Sequence, residues 1–193
     1  RGQPHRRRRH RARRGGDVMG SDGSEAEQTR SPSVWMRIPS DPKLLQAAGK
    51  GAIAHGHLEH ILRMMVKTLA RLDIDSALYA TQNVGVSELR NTVKKLFKSV
   101  CSDEVPKQKL AALLGRSAVL TKKRNELIHR AWGQTDDDAW VVKGEHHDWG
   151  APPTPDELES LAAEIADVTS RINTERLEGF IRDAVSRAPR LRT

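Results

Sequence analysis

The sequence predicts an all-α protein, an antiparallel bundle of four to five helices with one irregular loop after the third long helix. Three observations carry this. Apolar residues recur at spacings of three and four in four separate stretches, and the period-two alternation of half-buried strands is almost absent. A length of 193 residues with 37% hydrophobic content allows one domain with a real core.

In chain order, residues 1–40 read as a basic and polar leader, disordered or extended. Pro39 and Pro42 push the residues before them out of helical geometry, so the helical domain is expected over 41–187, with 188–193 as a tail. The first long helix is expected over 43–72, where Leu58, Ile61, Leu62, Met65, Leu69 and Leu72 mark one buried face. Its early part, "AAGKGAIAHG", holds three glycines that would let another backbone approach closely.

A second helix follows the loop "NVGV", with Ser87 as its N-cap, a stripe of Leu89, Val93, Leu96, Phe97 and Val100, and Lys94, Lys95 and Lys98 on the outer side. The third is expected to begin near Pro106 and to end at Gly133, with a stripe running from Leu110 to Ala131. The stretch after it, "QTDDDAWVVKGEHHDWGAPP", has no helical period and reads as a loop with one short strand over 140–143. "TPDE" then supplies a capping box from Thr154 and Glu157, with Pro155 presetting the first turn. Leu158, Leu161, Ile165, Val168 and Ile172 continue that helix until a break expected within 173–179, before Phe180, Ile181 and Val185.

The net charge of +8 would ordinarily point to a nucleic-acid partner, but it is concentrated. Residues 1–18 hold eight arginines against the single acid Asp17, and without them 25 bases face 24 acids. With the first methionine at Met19, residues 1–18 are expected to be either upstream sequence translated out of place or a disordered arm. The lone Cys101 excludes an internal disulfide framework and a four-cysteine zinc site, and fits a reducing compartment. No apolar run approaches the ~18 residues needed to span a bilayer, so a cytoplasmic protein without membrane contact is expected.

Familiar catalytic signatures are missing: there is no glycine-rich phosphate loop, nucleophile elbow or CxxC. His55, His57 and His60 surround Glu59, and His146 and His147 precede Asp148, but no histidine pair has the i, i+4 spacing that sets two metal ligands on one helical face. No metal or other cofactor is expected. The four tryptophans, Trp35, Trp132, Trp140 and Trp149, are expected to pack the loop against the bundle rather than to stack on bases.

One stretch combines groups suited to phosphodiester chemistry. In "TKKRNELIHRAWG", Asn125 and His129 are i, i+4 neighbours with Trp132 a turn further on, while Arg124 is rotated by about 100° from Asn125. Histidine is poised for proton transfer near neutral pH, and arginine offers a fixed cationic fork to a phosphate. The same residues also suit a plain helix end, with "KKR" and His129 opposing the negative pole of the helix dipole.

"RNELIHRAWG" resembles the R-x(4–6)-H motif of the HEPN (higher eukaryote and prokaryote nucleotide-binding) superfamily, and more narrowly its bacterial "RNxLVHGxW" type, matched by Arg124, Asn125 and His129 with four residues between arginine and histidine. "HGHLEHILRMM", "VGVSELRNTVKKL" and "TPDELESLAAEI" resemble the flanking helices of that type, and the resemblance covers about residues 43–172. It implies a HEPN-like bundle acting as a metal-independent endoribonuclease, a toxin or defence component, with RNA as substrate, an antitoxin or nucleotidyltransferase as partner, and a homodimer whose motif helices form one composite cleft. In that picture His129 moves the proton of the ribose 2′-hydroxyl, Arg124 holds the scissile phosphate and Asn125 positions either group, with Glu59, Lys123 and Trp132 in support and Glu59 paired with Arg124. The alternative is a non-catalytic HEPN-like module for dimerisation or for binding a nucleotide or partner protein. Arg130 and Ala131 depart from the narrower pattern.

Overall fold

A computed structural model describes residues 33–144 and 148–189. These residues are mostly helical, with a small four-stranded antiparallel sheet. Helix α1 (Pro42–Ala70) begins where the Asp41 carboxylate accepts from the Lys43 backbone N–H at 2.9 Å, with Pro42 in the first turn, where its missing N–H costs nothing. A Cβ built at Gly49, Gly51 or Gly56 would meet nothing within 4 Å, so the close backbone contact expected there is not made.

Helix α2 (Ile74–Thr81) lies in a stretch that the apolar pattern does not mark as an element. Its start is set by Asp73, whose carboxylate accepts from the backbone N–H of Ser76 at 2.9 Å and from its hydroxyl at 2.6 Å. Helix α3 (Val86–Val100) is capped by Gly85 rather than by Ser87. Helix α4 (Glu104–Ile128) starts ahead of Pro106 because Asp103 caps it, accepting from Val105 N–H at 3.0 Å.

Helix α5 (Pro155–Leu177) carries the predicted capping box in both directions: Glu157 N–H donates to Thr154 Oγ1 at 3.2 Å and Thr154 N–H to Glu157 Oε2 at 2.7 Å. The expected break falls at Glu178 and Gly179, before helix α6 (Phe180–Arg187).

The four long helices do not simply alternate in direction. Lys50 pairs with Glu159 at 2.6 Å and Arg176 reaches Thr68 at 3.4 Å, so α1 and α5 run the same way. Arg90 donates to Thr121 near the end of α4, whereas Lys94 and Lys98 stand beside Lys107 and Ala111 near its start, so α3 and α4 run oppositely. Arg116 pairs with Glu164 while Lys109 stands beside Thr174, so α4 also opposes α5. Thus α1, α3 and α5 point one way and α4 the other, so the four long helices do not by themselves form the antiparallel bundle expected of them. The reason is α2, which returns the chain before α3 begins.

The core collects the predicted stripes: Leu58, Leu62 and Met65 from α1, Leu89, Val93 and Phe97 from α3, Leu110, Leu114 and Leu120 from α4, and Ile165, Val168 and Ile172 from α5. Phe97 meets Phe180 edge-on at 5.9 Å between ring centroids, which fixes α6 against α3. No helix among the described residues is long and apolar enough to cross a membrane.

The segment expected to be one irregular loop instead builds most of the sheet. Strands β1 (Val34–Met36), β2 (Trp132–Thr135), β3 (Trp140–Lys143) and β4 (Trp149–Gly150) lie in that order, each antiparallel to the next. Only β3 was readable in advance, because strands of two to four residues are too short to display alternation. β1 comes from the stretch assigned to the leader, so regular structure starts ahead of Asp41.

Each strand carries one tryptophan. Trp132 packs against Leu44, Ala47 and Leu158 as expected, but Trp35 is 62% exposed and packs little. Glycine is needed at position 133, where a Cβ would collide with Val34 and come within 3.1 Å of Trp35 O and 3.3 Å of the Trp149 ring.

Candidate functional site

The last two turns of α4 position the motif. Thr121 donates its hydroxyl to Ser117 O at 2.8 Å and accepts from Arg90 of α3 at 3.1 Å, which clamps the two helices together one turn before Arg124. Arg124 donates from its Nη1 to Asn125 Oδ1 at 3.1 Å. The helix stops at Ile128, and His129 caps it with φ −95° and ψ −1°, its backbone N–H donating to Asn125 O at 2.9 Å. By Trp132 the chain is already a strand, tied down by Lys143 N–H to Ala131 O at 2.9 Å. Trp132 therefore does not extend the motif helix by a further turn. Its indole donates back to Leu127 O at 3.4 Å, and its ring supports the helix end from the sheet.

The structure groups some of the predicted residues and separates others. Arg124 and Asn125 are half-buried and joined by their hydrogen bond, while His129 is exposed. Five helical positions separate Arg124 from His129, which places them about 140° apart around the axis. His129 falls on the side of Asn125. Lys123 is exposed and lines a groove with Glu126, Glu157 and Glu164, on the flank facing α5. The expected ion pair between Glu59 and Arg124 is replaced by a pair within α1, with Arg63 Nη2 at 2.5 Å from Glu59 Oε1. That i, i+4 neighbour reaches the carboxylate without crossing between helices.

Arg124 is joined by residues that the sequence did not single out for this role. His55 of α1 is buried, at 9% exposure, and its Nε2 has no hydrogen-bond partner. Burial holds the imidazole below its ordinary pKa, and the positive charges of Arg124 and Arg90 push it the same way, against the opposing pull of Glu59. His55 is thus a neutral ring facing charge from three helices. Arg63 and Arg124 each keep a buried Nε–H that no acceptor meets.

The charges about His55 are lopsided: Arg124, Arg90 and the carboxylate of Glu59 act on it, and Arg63 is paired with Glu59, so three guanidiniums stand against one acid. Burial lowers the pKa of Arg90, but a guanidinium stays charged in any accessible pH range. Excess cationic charge with unmatched N–H donors is chemically a seat for an oxyanion, and the planar guanidinium fork matches the paired oxygens of a phosphate. The signal in the sequence was the i, i+4, i+8 series His55, Glu59, Arg63, which puts a histidine, an acid and a base on one helical face.

Among the described residues, no group of three or more histidines, cysteines or acids is placed to hold a metal ion. His146 and His147 of the loop histidine cluster lie outside the described residues. No protein-family model, curated protein or solved structure matches this chain.

Proposed function

We propose that this chain is a HEPN-like, metal-independent endoribonuclease in which Arg124 holds the scissile phosphate. The observation that carries the reading is the excess of positive charge about His55, where Arg124 and Arg90 face the single carboxylate of Glu59, itself paired with Arg63, and where Arg63 and Arg124 keep unmatched buried N–H donors. A phosphodiester supplies the missing negative charge and acceptor oxygens. Developing charge on the phosphoryl oxygens is stabilised by donors already in place, and no reorganisation is required as the transition state forms.

In the reaction, the ribose 2′-oxygen attacks phosphorus and its proton passes to the exposed imidazole of His129. The P–O5′ bond breaks, a 2′,3′-cyclic phosphate forms, and the departing 5′-oxygen is protonated by a histidinium or by water. Because Arg124 and His129 point about 140° apart on one helix, the histidine serving a phosphate on Arg124 comes from a second copy of the chain. Asn125 keeps Arg124 oriented through its side-chain oxygen.

The test is cleavage of single-stranded RNA in EDTA by Arg124→Ala, by His129→Ala and by the two variants mixed. Each alone is expected to lose cleavage, and the mixture to regain part of it by pairing an intact arginine with an intact histidine. Full cleavage by either single variant overturns the assignment. The second reading, a non-catalytic RNA-binding module, is favoured by the engagement of Arg124 with Asn125, and it predicts binding without cleavage by the parent chain.

A further inference from the structure

The charge count of the chain outside its first 18 residues is nearly neutral, yet the bases are not evenly distributed on the fold. Along α3, Arg90, Lys94 and Lys98 recur at intervals of four and so form one stripe, rising about 6 Å per step. The stripe borders the seam between α3 and α4. At its far end Lys94 and Lys98 line a groove of about 410 Å³ with Lys107, Gln108 and Ala111 of α4, and Glu104 is the groove's one acid, 3.6 Å from Lys107. At its near end Arg90 is fastened to Thr121, one turn from Arg124.

Over residues 111–118 the α4 side of this seam has little bulk. Ala111, Gly115 and Ala118 follow one another along the helix, and a Cβ at Gly115 would meet nothing within 4 Å. The same row continues through Lys122 to Asn125 and His129, since 18 residues make five whole turns from Ala111. The seam therefore carries cations along its α3 side from Lys98 to Arg90, which is fastened one turn of α4 before Arg124. Among the described residues, Lys94 and Lys98 enter no ion pair, so their charge is uncommitted.

The geometry points to the α3–α4 seam as the track for single-stranded RNA, with Lys98, Lys94 and Arg90 holding successive phosphates on the way to Arg124. This deepens the reading above and rests on RNA being the ligand of the Arg124 cluster. The regular spacing suits an extended strand, whose phosphates recur at a similar interval. Contacts of this kind give affinity without sequence preference and a steep dependence on salt.

The test uses the full chain and a fluorescent, 2′-O-methylated single-stranded RNA that cannot be cleaved, with anisotropy titrations across a salt series. The arginines of residues 1–18 are present in every variant, so the readout is the difference from the parent. Replacing both lysines, Lys94→Ala with Lys98→Ala, removes two phosphate contacts. The slope of log affinity against log salt should become shallower by about 1.4, with about 25-fold weaker binding at 0.1 M salt. Lys109→Ala, on the opposite flank of α4, should leave both unchanged.

On cleavable RNA the double variant should raise KM. An unchanged slope and KM in the double variant, while Arg124→Ala still abolishes cleavage, overturns the track and leaves the nuclease reading standing. Binding by the parent that depends on Lys94 and Lys98, with no cleavage at all, supports the track and overturns the nuclease. If the parent shows no RNA affinity beyond that of a peptide of residues 1–18, the track falls.

Discussion

Replacing Thr121 with valine tests whether Arg90 is held beside Arg124. The side chain keeps its shape and loses only its hydroxyl, which accepts from Arg90 at 3.1 Å and donates to Ser117 O at 2.8 Å. Ser117 O keeps its helical hydrogen bond from the backbone of residue 121, so the main loss is the acceptor for a charged donor. Hydrogen bonds to charged groups contribute about 1.5–3 kcal/mol. Arg90 is only half-buried and recovers some hydration, which lowers the expected cost to about 1–2 kcal/mol. With a urea m-value of about 2 kcal/mol/M, the midpoint should fall by about 0.5–1 M at constant m. A cycle with Arg90→Met should recover most of that as coupling between the two residues. An unmoved midpoint, or additivity of the two changes within about 0.5 kcal/mol, would refute the clamp.

Two further outcomes are expected. His55 has a native pKa below its ordinary value of 6.5, through burial first and then the charges of Arg124 and Arg90, with Glu59 opposing. Between that depressed value and 6.5 the unfolded chain holds a proton that the native chain lacks, so stability should be flat above pH 6.5, fall on acidification through this window and then level off. Urea midpoints across pH 5–7.5 should show this step in the parent and lose it in His55→Gln, and a parent that gains stability on acidification through the window would contradict it. Gly133→Ala should strip the sheet of its packing at a cost of about 1–3 kcal/mol, because the new methyl meets Val34, Trp35 O and the Trp149 ring. Tryptophan fluorescence should shift to the red with the helical circular dichroism retained, whereas an unaltered emission spectrum would mean that the strands tolerate the methyl.

The helices were legible wherever burial imposes a period. Leu58 to Leu69, Leu89 to Phe97 and Leu158 to Ile172 each show the spacing of one buried face, and Thr154 with Glu157 shows a cap whose partners are three residues apart. Local signals fail where contacts join distant parts of the chain. β1 pairs with β2 across about a hundred residues, and nothing within Val34–Met36 announces that partner. Helix direction has the same character: the eight residues of α2 decide that α3 runs parallel to α1, although their own apolar pattern is too short to declare a helix. Within the candidate site, Arg124 and Asn125 were visible as a motif, whereas Arg90 and His55 enter it only through packing.

The geometry of α4 also constrains what any use of the motif must look like. An R-x4-H spacing spans about 500° of an α-helix, so a straight helix aims the two side chains apart. A break between them would be one way to bring them together, but α4 remains helical through Ile128, and His129 stays in the right-handed region at φ −95° and ψ −1°. The chain bends away only after the histidine has been placed, when Ala131 and Trp132 join the sheet. Within one copy, the histidine that Arg124 faces is therefore His55, buried and held below its ordinary pKa, and not His129. These two histidines separate cleanly by experiment: a site confined to one chain requires His55 and gains nothing from mixing variants, whereas a site shared between two chains requires His129 and is restored by mixing.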